Sequence, residues 1–230
     1  GANAAQLPVF LGDGANREAF EMPLKIHQSM HDSTIMTIKP WTMDLALSKL
    51  SEVKACNPIA VAMDIDAAGL ILLKKQGVPV AYKSISDLKK IREFMNVPFI
   101  VKGIMCVEDA QAALDAGVEA IVVSNHGGRV LDDSTSTIEV LEEIANYVNK
   151  RCKVFIDGGF RSGADVYKAL ALGADGVLIG RPFSHYAIGG QAEGVKLYTE
   201  KLIDELQECM RMTACESLKD IKRTNVKIHF

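Results

Sequence analysis

Three features of the chain predict an α/β fold on a parallel sheet: short apolar runs rich in β-branched residues, amphipathic stretches between them, and chemically capable side chains just after the runs. The runs cover residues 7–11, 34–38, 59–65, 98–104, 120–124, 154–156 and 176–179, each nearly continuous in apolar side chains, as strands buried on both faces require. Residues 42–55, 85–96, 107–116, 137–148 and 163–172 place apolar side chains three and four apart, with charges on the opposite face. Ser86 is the expected N-cap of the second of these helices, and Gly117 and Gly173 are placed to end the third and the fifth. No G-x-G-x-x-G follows an early strand, which weakens an open dinucleotide-binding sheet. Instead Asp13, Lys39, Asp64, Lys102, Ser124 with His126, Asp157 and Arg181 follow successive strands. Barrel enzymes build their sites on that rim, so the prediction is a (β/α)8 barrel of the TIM type, one domain over residues 1–230. Seven strands are one short of eight, and the chain opens Gly1-Ala2-Asn3 without an initiator Met, so the first strand and the segment before it are expected to lie outside this chain.

Composition narrows the function classes. With 230 residues, 48% hydrophobic, the chain can bury a sizeable core, and a net charge of -3 leaves no footprint for nucleic acid or an anionic membrane. No apolar run reaches transmembrane length and no signal-peptide pattern opens the chain, so a soluble cytoplasmic protein is expected. The five cysteines include no C-x-x-C pair, which points to reduced thiols rather than zinc or a disulfide framework.

The run Ser124-Asn125-His126-Gly127-Gly128-Arg129 sets an imidazole and a guanidinium three residues apart at a strand end. Histidine titrates near neutrality and can accept a proton, while arginine grips a carboxylate through two parallel hydrogen bonds. The pair suggests chemistry on a small carboxylic acid; the plainer alternative is a surface or capping histidine in a Gly-rich loop. Asp157-Gly158-Gly159-Phe160-Arg161-Ser162-Gly163 and Gly180-Arg181-Pro182 follow the last two strands. Glycine N–H groups, a helix N-terminus and two arginines suit a phosphate, although a tight turn with solvated arginines is the other reading. His27 and His31 with Asp32 are spaced for a metal, but no second ligand cluster accompanies them, so a solvated helix end and no metal are expected. His185 reads as a cap or an oligomer contact and His229 as tail, and residues 193–212 form a closing helix with Met210 and Met212 in the core.

These motifs, taken in order with Val101-Lys102-Gly103-Ile104, Leu131-Asp132, Lys168-Ala169-Leu170-Ala171-Leu172-Gly173-Ala174 and Ile179-Gly180-Arg181-Pro182, resemble the FMN-dependent α-hydroxy acid oxidase and dehydrogenase family. That family includes glycolate oxidase, lactate oxidase and flavocytochrome b2. The resemblance implies the barrel, FMN, and oxidation of a small L-2-hydroxy acid with oxygen or another acceptor, in a homo-oligomer that is commonly a tetramer. It implies that Lys102 sits by the flavin N1 and C2 carbonyl, that Ser124 and Thr37 contact the ring, and that Asp157 meets the ribityl chain. Gly158, Gly159, Arg161, Gly180 and Arg181 would hold the phosphate. His126 would be the base, taking the α-hydroxyl proton or the α-hydrogen, with Asp64 orienting it and Arg129 holding the substrate carboxylate. Without the resemblance, Asp64 reads equally as an N-cap.

The chain also departs from the family. After Asp64 it runs Ile65-Asp66-Ala67-Ala68-Gly69-Leu70, where the family places a second carboxylate-binding arginine. Lys39 stands where a substrate-contacting tyrosine is usual and is the candidate replacement cation, and residues 67–84 are shorter than the family's lid loop. Two alternatives follow: an FMN-dependent isomerase of the type 2 isopentenyl diphosphate kind, for which the His126 and Arg129 pair has no use, and a non-catalytic flavin-binding fragment.

Overall fold

The apolar runs fold as strands and the amphipathic stretches as the helices that connect them. The computed structural model describes residues 1–2, 4–30 and 33–227. The strands are β1 (Val9–Gly12), β2 (Thr34–Ile38), β3 (Ala60–Asp64), β4 (Phe99–Ile104), β5 (Ala120–Val123), β6 (Lys153–Ile156) and β7 (Gly176–Val177). The helices are α1 (Arg17–Met30), α2 (Met43–Cys56), α3 (Ile71–Lys75), α4 (Ile85–Phe94), α5 (Val107–Asp115), α6 (Thr137–Val148), α7 (Gly163–Ala171) and α8 (Arg181–Met212). The seven strands lie side by side in chain order, every pair parallel. Each parallel step needs a crossover, and a helix supplies it between every consecutive pair. Among the described residues the sheet is a run of seven parallel strands and no ladder returns from β7 to β1, the arrangement expected of an eight-stranded barrel without its first strand.

Alternation along each strand separates two cores. One face, with Met36, Ile38, Val61, Met63, Phe99 and Val101 among its members, packs under helix residues such as Leu50, Leu88, Ile91, Leu141 and Ile144. The other gathers Phe10, Ile35, Ala60, Ala62, Ile100, Ala120, Val122, Phe155 and Leu178, drawn from every strand or its immediate end. No helical residue belongs to that second cluster, yet Ala62 and Val122 are fully buried. A flat sheet would leave this face wet, so the strands curl around it, and alanines fit the narrow interior.

Several local expectations are corrected. The N-cap of α4 is Ser84, not Ser86: its hydroxyl accepts from the Asp87 N–H while the Asp87 carboxylate accepts from the Ser84 N–H, a reciprocal box that Ser86, one residue inside the helix, cannot form. Gly117 and Gly173 follow the caps of α5 and α7 as expected. His27 is no solvated helix end. It is buried, with Nδ1 2.5 Å from Thr34 Oγ1 and Nε2 2.7 Å from the Cys56 carbonyl, and so ties α1 to β2 and α2. His31, Asp32 and His229 lie outside the described residues. Met212 is 82% exposed rather than core, whereas Met210 packs against the cluster of Tyr167, Ala171, Cys215 and Ile221.

The closing helix docks without space for side chains at its closest point. α8 breaks at Gln191 (φ 51, ψ -137), and its second half lies across α7 where Gly163 starts. A Cβ on Gly163 would fall 2.3 Å from the Leu206 nitrogen and 2.4 Å from the Leu202 carbonyl oxygen, both backbone atoms that cannot swing aside. Gly163→Ala is therefore expected to destabilise the fold by about 1–3 kcal/mol, the usual penalty of overpacking. A urea midpoint equal to that of the parent chain would refute this account of the contact.

Candidate active site

Because the strands are parallel and in order, the inward faces of β2 to β6 all run out on one rim. Two positions beyond Ile35 comes Thr37, and two further Lys39; beyond Ala62 comes Asp64; beyond Ile100, Lys102; beyond Val122, Ser124; beyond Phe155, Asp157. The register then decides neighbours. Ile38 pairs with Met63, so the next residues, Lys39 and Asp64, come side by side. Lys39 Nζ donates to Asp64 Oδ2 at 2.5 Å, and the Asp64 side chain is only 5% exposed. Burial pushes the Asp64 carboxyl above its usual range, against the pull of the Lys39 ammonium. Asp64 precedes a 3₁₀ turn (Ile65–Gly69) but does not cap it with its side chain, so the capping reading fails.

Lys102 Nζ donates to Ser124 Oγ at 2.6 Å and lies 3.2 Å from Asp157 Oδ2. Thr37 Oγ1, Asp64 Oδ1 and Asp157 Oδ1 are buried and without a hydrogen-bond partner among the described residues. Each such atom costs about 1–3 kcal/mol unless something polar meets it, and three on one rim mark a surface shaped for a polar ligand.

The loop after β5 is held by its own side chains. Asn125 Oδ1 accepts from the N–H groups of Gly127 and Gly128, while its Nδ2 donates to Ser134 Oγ and the Thr135 carbonyl. The His126 N–H donates to Ser124 Oγ at 3.1 Å, with the backbone at φ 58. His126 Nδ1 lies 3.1 Å from both carboxylate oxygens of Asp66. The carboxylate hydrogen-bonded to the histidine is thus Asp66 and not Asp64, because Lys39 occupies Asp64 from the neighbouring strand. Asp64 remains close, with one ligand atom each of Asp64, Asp66 and His126 lying within 4.8 Å of one another.

Other predicted residues are dispersed along the rim. Arg129 is exposed and makes no hydrogen bond among the described residues. Arg181 reaches the Gly127 carbonyl at 3.4 Å, linking the loop after β7 to the His126 loop, and Arg161 Nη1 donates to the Gly159 carbonyl. Gly158 and Gly159 take φ 95 and 89, and their N–H groups, like that of Gly180, find no partner among the described residues. The N-terminus of α7 is already served: Asp165 accepts from Arg161 and Ser162, and Glu205 from Gly163. Any anion here therefore meets the two glycines rather than the helix end. Asp13 turns out structural, held by Lys49 at 3.1 Å and by the Trp41 indole at 2.5 Å. Three contributors went unassigned in the sequence: Asp66, Asn125, and Thr137, whose hydroxyl donates to the Asp157 carbonyl. An Asx-turn signal, Asn before two glycines, was available for Asn125 alone.

The Lys39 and Asp64 pair makes a pH-dependent prediction. Lys39→Met leaves a buried carboxyl without its cation, a loss of about 3 kcal/mol at neutral pH. A carboxyl whose folded pKa is raised binds protons on folding, so the variant is most stable in acid and loses stability as pH rises from the ordinary carboxylate range through the raised value. Urea midpoints of parent and variant should converge near about pH 4 and diverge by about pH 8. An equal gap at both would show that the ion pair contributes nothing.

Comparison with known proteins gives this rim a family. The sequence profile described as FMN-dependent dehydrogenase matches residues 14–228. A peroxisomal (S)-2-hydroxyacid oxidase of Arabidopsis thaliana is 46% identical over 141 residues, 61% of this chain and 39% of that protein. An L-lactate oxidase of Lactobacillus jensenii is 44% identical over 62% of this chain and 35% of its own length, and a 4-hydroxymandelate oxidase of Amycolatopsis orientalis 42% identical over 67% and 42%. The matches thus span about two fifths of these relatives' length. A crystal structure of mandelate oxidase with benzoyl-formic acid superposes with a TM-score of 0.81 at 29% identity, covering 96% of this chain and 70% of that one. A mandelate oxidase variant with a monooxide FMN adduct covers 94% and 77%, with a TM-score of 0.74 at 28% identity. No helix among the described residues is long and apolar enough to cross a membrane. The profile takes in nearly the whole chain, and by that measure the chain belongs to the FMN-dependent dehydrogenase family.

Proposed function

We propose that this chain carries the cofactor and substrate rim of an enzyme that oxidises a small L-2-hydroxy acid to the 2-oxo acid. The observation that carries the reading is the inward group Lys102, Ser124 and Asp157, with orphaned oxygens on Thr37 and Asp157, beside His126. These residues fit FMN, which offers a hydrogen-bonding ring edge, a polyhydroxyl chain and a phosphate. Thr37, Lys102 and Ser124 would meet the ring, Asp157 the chain, and Gly158, Gly159, Arg161, Gly180 and Arg181 the phosphate. When bound, FMN supplies the acceptor for the two electrons leaving the α-carbon. Lys102 contributes positive charge where the ring gains electrons.

The chain's own residues do the rest. Arg129, exposed and without a side-chain partner among the described residues, takes the substrate carboxylate, and Lys39 adds a cation while still bound to Asp64. His126 accepts the proton released from the substrate, and the imidazolium so formed is stabilised by the Asp64 and Asp66 carboxyls around it. Electrons leave to oxygen or another acceptor. A carboxylate clamp supports a hydroxy acid over the diphosphate of an isomerase.

The test is anaerobic mixing of the FMN-loaded chain with glycolate, lactate and mandelate while flavin absorbance is followed. Bleaching by at least one acid is expected, and a folded, flavin-loaded chain that none reduces would overturn the proposal in favour of a non-catalytic flavin binder. His126→Ala should retain flavin but slow reduction by about 10²–10⁴-fold. Arg129→Lys should weaken saturation by the acid more than it slows reduction, since a point charge replaces a bidentate fork. Unchanged rates in the first variant, or unchanged affinity in the second, would remove the corresponding role.

A further inference from the structure

We propose that Asp64, Asp66 and His126 form a binding site for a divalent ion of the zinc class, and that an ion held there keeps the imidazole proton on Nε2. One ligand atom of each residue lies within 4.8 Å of the other two. His126 Nδ1 is 3.1 Å from both Asp66 oxygens. A tetrahedral zinc ion with bonds of about 2.0–2.1 Å holds neighbouring ligand atoms about 3.3 Å apart, so this edge of the shell already has nearly its final length. The third ligand carries an independent sign of a cation. The Asp64 side chain is 5% exposed, Lys39 binds its Oδ2, and Oδ1 has no partner among the described residues. The flavin contacts proposed above would engage the orphaned oxygens of Thr37 and Asp157, and they leave that of Asp64 unmet.

The backbone brings these donors together before any ion arrives. β4 shifts register between Lys102 and Ile104, and Gly103 in the shift takes φ +106. A Cβ there would sit 2.8 Å from Asp66 Cβ and 2.9 Å from its Cγ, so the missing side chain leaves Asp66 its place in the cluster. On the facing loop Ser124 Oγ accepts from the His126 N–H, and Asn125 Oδ1 holds the two N–H groups that follow. Charge suits a dication: two carboxylates against the Lys39 ammonium leave one negative charge in excess. Oxygen and imidazole donors in one shell favour zinc and its first-row neighbours over Mg²⁺ and Ca²⁺, which take oxygen ligands. Asp66 and His126, each with a 12% exposed side chain, leave an entry from solvent.

The chemical consequence follows from the imidazole itself. A neutral ring has one proton, and an ion on Nδ1 takes the lone pair there, so the proton displaced from Nδ1 is matched by one taken up at Nε2. Nε2 then has no lone pair with which to accept a proton. Where His126 is the base, as proposed above, the bound ion stops proton transfer, and its removal restores it.

The test is isothermal titration calorimetry of Zn²⁺ into the chain freed of metal by EDTA, repeated with Asp64→Asn, Asp66→Asn and His126→Gln. One strong site is expected in the parent chain. Each variant should weaken it by more than about tenfold, since even outer-shell partners of a metal are worth that much. No binding in the parent, or binding as tight in any of the three variants, as on the exposed thiol of Cys106, overturns the site. Displacement by Mg²⁺ would overturn the ion class. ¹⁵N NMR of the zinc-loaded chain, with the His126 signals identified by their loss in His126→Gln, should show the ion on Nδ1 and the proton on Nε2. A zinc-bound chain whose proton stays on Nδ1 overturns the effect on the imidazole. In the flavin-loaded chain Zn²⁺ should slow reduction by a hydroxy acid by about 10²–10⁴-fold, the worth of a positioned base, and EDTA should reverse this. Undiminished reduction with zinc bound at His126 would count against His126 as the base and not against the site, because calorimetry and NMR involve no oxidation.

Discussion

Parallel pairing in strict chain order is the constraint from which the rest follows. It makes every strand end on the same side, and the period of two carries each inward row of side chains out onto one rim. Residues that fill the interior, Ile35, Ala62, Ile100, Val122 and Phe155, therefore specify where Thr37, Asp64, Lys102, Ser124 and Asp157 emerge. A one-residue slip in any strand would turn its rim side chain into the helix layer, so the core that stabilises the sheet also sets the site.

The rim is the least economical part of the fold. Lys39 with Asp64, and Lys102 with Asp157, are ion pairs largely removed from water, and such pairs seldom stabilise a protein more than apolar residues would. Three buried oxygens without partners add to that burden. Local rules broken repeatedly in one place are the physical mark of a site kept for binding. Contrast Asp13, equally buried at the end of β1, whose oxygens are both engaged by Lys49 and Trp41 and which serves only to join β1, β2 and α2.

Much of this was legible in the residues. Six of the helices and all seven strands fall near the expected positions because periodicity is a local property. α1 was harder to read because Pro23 lies inside it, although buried Phe20, Pro23 and His27 have helical spacing. Helix ends and exposure were less legible: Ser84 and Ser86 look alike as caps until the chain direction at the helix start is known, and Met212 looks apolar wherever it lies. The barrel class was an extrapolation from architecture, whereas the seven strands found among the described residues are the seven that local periodicity marks.

The sequence by itself determined the order of strands, the inward face of each, and the arrival of Lys102, Ser124, Asp157 and His126 at a common rim, because each depends on residues a few positions apart. Only the tertiary structure decided which charge meets which. Asp66 and His126 are 60 positions apart, and Lys39 and Asp64 are 25 apart. The choice of Asp66 over Asp64 turns on strand register, on the space left by Gly103, and on distances that no local pattern encodes.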